Sequence, residues 1–157
     1  MSLVVKGIKE MAINIMSGVD RLIRHLNDNR IPIAIATNTS QRNWNVFKDN
    51  TIGFDESLFS DVVCGADDPE VVNNKPAPDI YLVCAKRFPI PPKSVDSCVV
   101  FEDSLTGITG AVASGMKTVL INHYFGPHFD AIAPKVTQIV ADFNQFRPES
   151  IGLPSYP

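Results

Sequence analysis

Residues 98–115 constrain the fold most, because they place two acids directly between a buried strand and a helix. An apolar run rich in β-branched residues covers 98–101, and Glu102 and Asp103 follow at once. Apolar residues then recur at helical spacing up to Gly115, which predicts a helix that ends at that glycine. Ligands of open parallel α/β sheets bind at the carboxyl ends of strands, and two carboxylates suit Mg²⁺. The alternative is that the two acids only cap the helix.

Further apolar runs alternate with helical patterns along the rest of the chain. Residues 31–37 are continuously apolar, which is typical of a strand covered on both faces. Shorter runs predict strands at 61–64, 117–121 and 136–140, with amphipathic segments between them. This alternation implies crossover connections and parallel pairing. We therefore predict an α/β fold with a doubly wound, mostly parallel sheet.

Composition excludes several classes of function. The chain has 157 residues, enough for one domain with a sizeable core, and its net charge of −3 argues against nucleic-acid binding. No apolar run approaches the roughly 18 residues needed to span a bilayer, so we expect no membrane partner. Cys64, Cys84 and Cys98 show no paired spacing. Buried free thiols and a cytoplasmic location are the corresponding expectations.

Three polar sites follow strands or lie in loops, and together they suit a phosphate ester. Thr37 Oγ1 and the backbone N–H of Asn38 can donate to phosphate oxygens, and Lys75 supplies a compact positive charge. Glu102 and Asp103 can hold Mg²⁺, which offsets charge during phosphoryl transfer. These residue types at strand ends and in a loop thus suit a ligand that carries a phosphate ester.

Each of these residues also has a purely structural interpretation. Thr37 can cap the helix that follows its strand, and a lysine before a proline is usually a solvated loop residue. The order of the three sites on alternating strands is what favours the functional interpretation.

The chain resembles the haloacid dehalogenase superfamily of phosphohydrolases, and within it the pseudouridine 5′-phosphatase-like subgroup. The resemblance covers roughly residues 10–157. The segments that carry it are residues 65–71, 75–81, 84–88, 100–103 and 152–156.

The resemblance assigns roles to the same residues. It makes Thr37 the hydroxyl residue of the second family motif, Lys75 the lysine of the third, and Glu102 and Asp103 the metal-binding acids of the fourth. It implies Mg²⁺-dependent hydrolysis of a phosphomonoester through an aspartyl-phosphate, with Thr37 and Lys75 counted among the catalytic residues. The ligand that it implies is a small phosphorylated metabolite of the nucleotide or sugar monophosphate class.

The chain departs from the family at the first motif, which in relatives is a strand ending in Asp-x-Asp. No Asp-x-Asp occurs in the sequence, so the nucleophile and the general acid/base are missing. We therefore expect residues 1–17 to be a remnant of the cap or connecting segment, and residues 18–157 to be the core domain. The sheet is expected to be incomplete at its first, central strand. One conjecture is that residues 2–5 occupy the gap.

Three hypotheses for function follow from this departure. The first is a truncated or alternatively started phosphatase that is inactive as this chain. The second is a pseudoenzyme, or binding module, for a phosphorylated ligand or a partner protein. The third is a phosphoacceptor domain like those of response regulators, which the order of the motifs disfavours because there the acids come first and the lysine last.

Overall fold

The computed structural model describes residues 16–121 and 126–157 with their side chains, and the backbone of residues 2–6. The described residues form six strands and five α-helices, joined by turns and short 3₁₀ segments. The strands are β1 (Ser2–Lys6), β2 (Ile33–Thr37), β3 (Asp61–Cys64), β4 (Cys98–Glu102), β5 (Lys117–Ile121) and β6 (Gln138–Val140). The helices are α1 (Val19–Asp28), α2 (Gln41–Asn50), α3 (Asp79–Arg87), α4 (Leu105–Ala113) and α5 (Pro127–Asp130).

The strands of the described residues form one sheet in the order β3-β2-β1-β4-β5-β6, and every pair is parallel. Alternate residues of β2 and β4 face opposite sides, yet all of them are buried. One face packs against α1 and the C-terminal segment, with α2 beside them, and the other packs against α3 and α4. The predicted doubly wound α/β class is confirmed.

The centre of the sheet differs from the expectation of a gap. β1 lies between β2 and β4, with Leu3 opposite Ile33 and Val99, so the sheet is continuous. The conjectured occupant of the central position is therefore the one found, and the expectation of an incomplete sheet is corrected. An open centre would leave the facing backbone groups of β2 and β4 without partners. Most of the predicted connecting segment lies outside the described residues, so the domain division at residue 17 stays a prediction.

The strand and helix predictions hold with small shifts at the ends. β2 begins at Ile33 rather than at residue 31, because Pro32 has no N–H to donate to a ladder. β6 begins at Gln138 rather than at residue 136, because the Val136 N–H closes a turn on Ala133 O. The three cysteines are free and buried, as predicted. Within the described residues, no helix is both long enough and apolar enough to span a bilayer.

Backbone hydrogen exchange tests whether β1 is paired on both sides, because paired amides are protected from exchange. The amides of residues 3–5 are expected to exchange as slowly as those of β2, because β1 pairs on both sides. The edge strand β6 pairs with β5 alone and serves as the internal control, with faster exchange. Rapid exchange at residues 3–5 together with slow exchange in β2 would contradict the central placement of β1.

Candidate functional site

The carboxyl ends of β2 and β4 bring the predicted residues to one edge of the sheet. β2 ends at Thr37 and β4 ends at Glu102, on either side of β1. Asn38 and Asp103 are the next residues along the two strands. We call Thr37, Asn38, Lys75, Glu102 and Asp103 the edge cluster. Parallel pairing places both strand ends at the same edge, which is where ligands of this sheet class bind.

The side chain of Asn38 holds the loop that carries Lys75. The backbone N–H of Lys75 donates to Asn38 Oδ1 at 3.2 Å, and Asn38 Nδ2 donates to Lys75 O at 3.5 Å. This contact joins the end of β2 to a residue 37 positions further along the chain. The sequence predicts only a backbone role for Asn38, and the structure adds this positioning role for its side chain.

Lys75 is buried in an ion pair with Glu102. Lys75 Nζ lies 2.6 Å from Glu102 Oε1, and the two side chains are 1% and 0% exposed. The same ammonium group donates to Ala36 O at 2.9 Å. Lys75 is therefore not a solvated loop residue. Removing two charges from water is costly, so such a pair persists only where further hydrogen bonds satisfy both groups.

Tyr81, on α3, supplies one of those hydrogen bonds. Its hydroxyl lies 2.7 Å from Glu102 Oε1 and 2.9 Å from Gly107 O, and the side chain is fully buried. Burial, followed by the nearby charge of Glu102, raises the pKa of Tyr81 far above its usual range, so the phenol stays protonated and can donate. Tyr81 is not among the residues that the sequence predicts for the site. The sequence signal for Tyr81 was its position six residues after Lys75, in the segment 75–81 that carries the family resemblance.

Glu102 also packs against the first turn of α4. A Cβ built on Gly107 would lie 1.9 Å from Glu102 Oε2, so only glycine allows this approach. Ser104 Oγ lies 3.3 Å from the same oxygen and accepts a hydrogen bond from the Gly107 N–H at 3.1 Å. The side-chain cap of α4 is therefore Ser104 rather than either acid.

Thr37 does not cap the helix that follows it either. That role belongs to Ser40, whose Oγ accepts from the Asn43 N–H at 3.2 Å. Thr37 is buried, and its Oγ1 accepts a hydrogen bond from the Thr39 N–H at 3.3 Å. The structural interpretation of Thr37 as a helix cap is therefore excluded.

The other acids near this edge are engaged in structure. Arg87 holds Asp68 with two hydrogen bonds of 2.6 and 2.9 Å, and these bonds keep the pKa of Asp68 below its usual value. Asp67 Oδ2 accepts from the Gln41 N–H at 2.6 Å. Both acids therefore fix the loop after β3.

The edge cluster offers two adjacent carboxylates to a cation. Within the described residues, no group of three or more Asp, Glu, His or Cys side chains is arranged to hold a metal ion. Mg²⁺ is commonly held by one or two protein carboxylates, with water and substrate phosphate completing the shell. Glu102 and Asp103 fit that donor set, although Glu102 Oε1 already accepts from Lys75 and Tyr81.

Comparisons with known proteins show similarity to one family of hydrolases. Residues 4–115 match the family model described as haloacid dehalogenase-like hydrolase. The chain is 42% identical over 145 residues to a probable pseudouridine-5′-phosphatase of Drosophila melanogaster, covering 90% of this chain and 60% of the relative. It is 39% identical over 145 residues to (DL)-glycerol-3-phosphatase 2 of Arabidopsis thaliana, covering 90% of this chain and 58% of that one. The chain thus spans less than two thirds of these relatives.

A solved structure agrees with the sequence relatives. A haloacid dehalogenase hydrolase of family IA, variant 3, from Entamoeba histolytica superposes with a TM-score of 0.67 at 26% identity. The match covers 87% of this chain and 58% of the other.

The buried pair predicts an asymmetric pattern of stability losses. Lys75→Met should lower the free energy of unfolding by about 3–5 kcal/mol, because it leaves the Glu102 carboxylate buried without its cation. Adding Glu102→Gln should recover part of that loss. Urea unfolding of the two single variants and the double variant measures the coupling. Arg24→Met, which breaks the exposed pair with Asp20, is the control and should change stability little. Additive losses would show that the pair is not coupled.

Gly107→Ala tests the close approach of Glu102. Alanine normally favours a helix over glycine by about 1 kcal/mol, but here its Cβ must displace a carboxylate held by Lys75 and Tyr81. We expect a net destabilisation of about 1–3 kcal/mol in thermal or urea unfolding. In a Lys75→Met/Glu102→Ala background the carboxylate is gone, and the same substitution should become stabilising. A stabilising effect in the wild-type background would contradict the geometry.

Proposed function

Since the chain belongs to the haloacid dehalogenase-like hydrolase family, we propose that its edge cluster binds the phosphate group of a small phosphorylated metabolite. The observation that carries the proposal is the buried Lys75–Glu102 pair, which is joined to Asn38 at the carboxyl edge of the sheet. A buried ion pair at this position is not needed for the stability of the fold, because apolar residues of similar volume in place of such a pair usually give equal or greater stability. A binding role accounts for the cost.

In this proposal each residue has a defined task. Thr37 Oγ1 and the backbone N–H of Asn38 donate to phosphate oxygens, and Lys75 adds positive charge beside them. The Asn38 side chain and the Ala36 carbonyl hold Lys75 in place. Bound Mg²⁺, held by Asp103 and by Glu102, would supply positive charge to offset the charge of the phosphate.

The class of ligand is inferred from the relatives. The Drosophila relative is a probable pseudouridine-5′-phosphatase, and the Arabidopsis relative is a glycerol-3-phosphatase. The substrate in each of these two names is a phosphomonoester of a small polar molecule. We propose a phosphomonoester of the nucleotide, sugar or polyol class for this chain, and hydrolysis of such an ester by a longer protein that includes it.

We further propose that this chain binds its ligand without hydrolysing it. The resemblance implies a nucleophilic aspartate at the end of the central strand. The central strand here is Ser2–Lys6, in which Lys6 lies opposite Ala36 and no residue is acidic. Hydrolysis would require another strand to bring that aspartate to the edge. The same observation favours the second candidate function, a pseudoenzyme that retains the phosphate site.

Two measurements test the proposal together. With p-nitrophenyl phosphate and Mg²⁺, the purified chain should show no turnover above background. Titration with inorganic phosphate, followed by calorimetry, should show binding that Thr37→Val weakens on the order of tenfold, the size of one hydrogen bond to a charged group. Thr51→Val is the matched control, because Thr51 lies at the C-terminal end of α2 and donates to Phe47 O.

The outcomes separate the two halves of the proposal. Turnover that Asp103→Asn abolishes would show that the chain contains a nucleophile of its own, and would overturn the proposal that it only binds. Absence of phosphate binding, or equal losses in the Thr37 and Thr51 variants, would overturn the assignment of the edge cluster.

A further inference from the structure

We propose that a cavity at the amino edge of the sheet binds a small organic anion with an apolar ring. The cavity has a volume of about 650 Å³. Its walls include the residues that precede three strands, namely Pro32 before β2, Ser60 before β3 and Ser97 before β4. Because these strands are parallel, this edge is opposite to the one that carries the edge cluster. The cavity is thus separate from the proposed phosphate site.

The walls of this cavity are largely apolar and rigid. Four prolines contribute to them: Pro32, Pro89, Pro91 and Pro92. Ile90 stands among these prolines and is 82% exposed, so the fold itself does not bury it. Ile31 and Leu58 line the same cavity and are half-buried. An apolar ring would remove this surface from water, and walls whose backbone φ is fixed by proline lose little entropy on binding. We call this site the proline cavity.

The charged residues that line the proline cavity are both basic. They are Arg30, which follows α1, and Lys93, which follows α3. Both are exposed, and neither forms an ion pair within the described part of the chain. Asp28, Asp61 and Asp96 are each next in sequence to a lining residue, but none of them lines the cavity. Two cations beside apolar walls suit a carboxylate or sulfonate that is attached to an apolar body.

The backbone conformation of Arg30 is unusual for an arginine. Its φ of 56° lies in the left-handed region, where it is the one residue other than glycine among those that the structure describes. The Arg30 N–H donates to Asn27 O at 2.8 Å. The next N–H, of Ile31, donates to Leu26 O at 2.9 Å. This pair of bonds is a helix-ending motif that favours glycine, so an arginine here is held at a cost in stability. A role for its charge in the cavity accounts for that cost.

The size and chemistry of the proline cavity select the class of ligand. Protein pockets for small molecules span roughly 300–1,000 Å³. Inorganic phosphate would supply charge but no apolar surface to cover Ile90. A neutral ring would cover Ile90 but would leave Arg30 and Lys93 without a counter-charge. An aromatic carboxylate or sulfonate meets both requirements.

Two fluorescent probes that differ by one charged group test the proposal. Anilinonaphthalenesulfonate carries a sulfonate, and phenylnaphthylamine is its neutral counterpart. In a fluorescence titration at low ionic strength, we expect the sulfonate to saturate at one molecule per chain. Arg30→Gly and Lys93→Met should each raise its dissociation constant about threefold, and the double variant about tenfold, because each substitution removes one exposed charge. The affinity for phenylnaphthylamine should be the same in all three variants.

The choice of variants separates binding from folding. Glycine is favoured at the left-handed position, so Arg30→Gly should leave the midpoint of thermal unfolding unchanged or raise it. Arg30→Lys keeps the charge and should retain most of the affinity. Lys135→Met is the control for net charge, because Lys135 is exposed and does not line the cavity.

A cation also suits the C-terminal end of a helix, which is the alternative role for Arg30. Unchanged affinity for the sulfonate in Arg30→Gly and in Lys93→Met would overturn the proposal and would leave Arg30 with that role alone. An equal loss of affinity in Lys135→Met would also overturn it, because the effect would then come from net charge.

Methyl resonances locate the bound probe. The Cδ1 methyl of Ile90 should shift when the sulfonate is added. The Cδ1 methyl of Ile52 should not, because Ile52 is 80% exposed but does not line the cavity. Shifts at Ile52 without shifts at Ile90 would place the probe elsewhere and overturn the assignment.

Sedimentation and competition test the other possible occupants. A dimer that Ile90→Asp dissociates would assign the cavity to a second copy of the chain. Displacement of the sulfonate at lower concentration by a peptide of alternating Glu and Phe than by naphthoate would assign it to an acidic protein segment. Either result would overturn the proposal of a small ligand. A monomer from which naphthoate displaces the probe more readily than the peptide does would support it.

Discussion

The site depends on a lysine and a glutamate that meet inside the protein, away from water. Lys75 and Glu102 are almost completely buried, and each makes hydrogen bonds in addition to the ion pair. Lys75 donates to a carbonyl of β2, and Glu102 accepts from Tyr81 and Ser104. Because the ion pair alone would not offset the loss of hydration, these added hydrogen bonds are a condition for its existence. The pair thereby connects β2, the loop before α3, α3 itself, β4 and α4.

The glycine opposite the carboxylate shows how closely this network is packed. Gly107 lies in the first turn of α4, where most residues would favour the helix more. Glu102 occupies the space that a side chain would need. Gly107 lowers the helix propensity of α4 at one position, and its missing side chain leaves room for the Glu102 carboxylate between β4 and α4.

The central strand β1 completes the sheet through its backbone and carries no acidic residue. A parallel sheet needs a partner on each side of its middle position, and the backbone of residues 2–6 meets that need whatever its side chains are. Backbone pairing is therefore satisfied without an acidic residue in this strand. Completion of the sheet therefore places no requirement on the side chain at the end of its central strand.

Local patterns determined the strands and helices of this protein, because hydrophobic periodicity, glycine and proline act within a few residues. They also determined which polar residues follow strands, since Thr37, Asn38 and the pair Glu102 and Asp103 stand directly after apolar runs. Only the tertiary structure decided that Ser2–Lys6 fills the centre of the sheet, because the partners of so short a strand are remote in sequence. It alone decided that Tyr81 holds Glu102 and that the Asn38 side chain holds Lys75, since these two contacts span 21 and 37 residues.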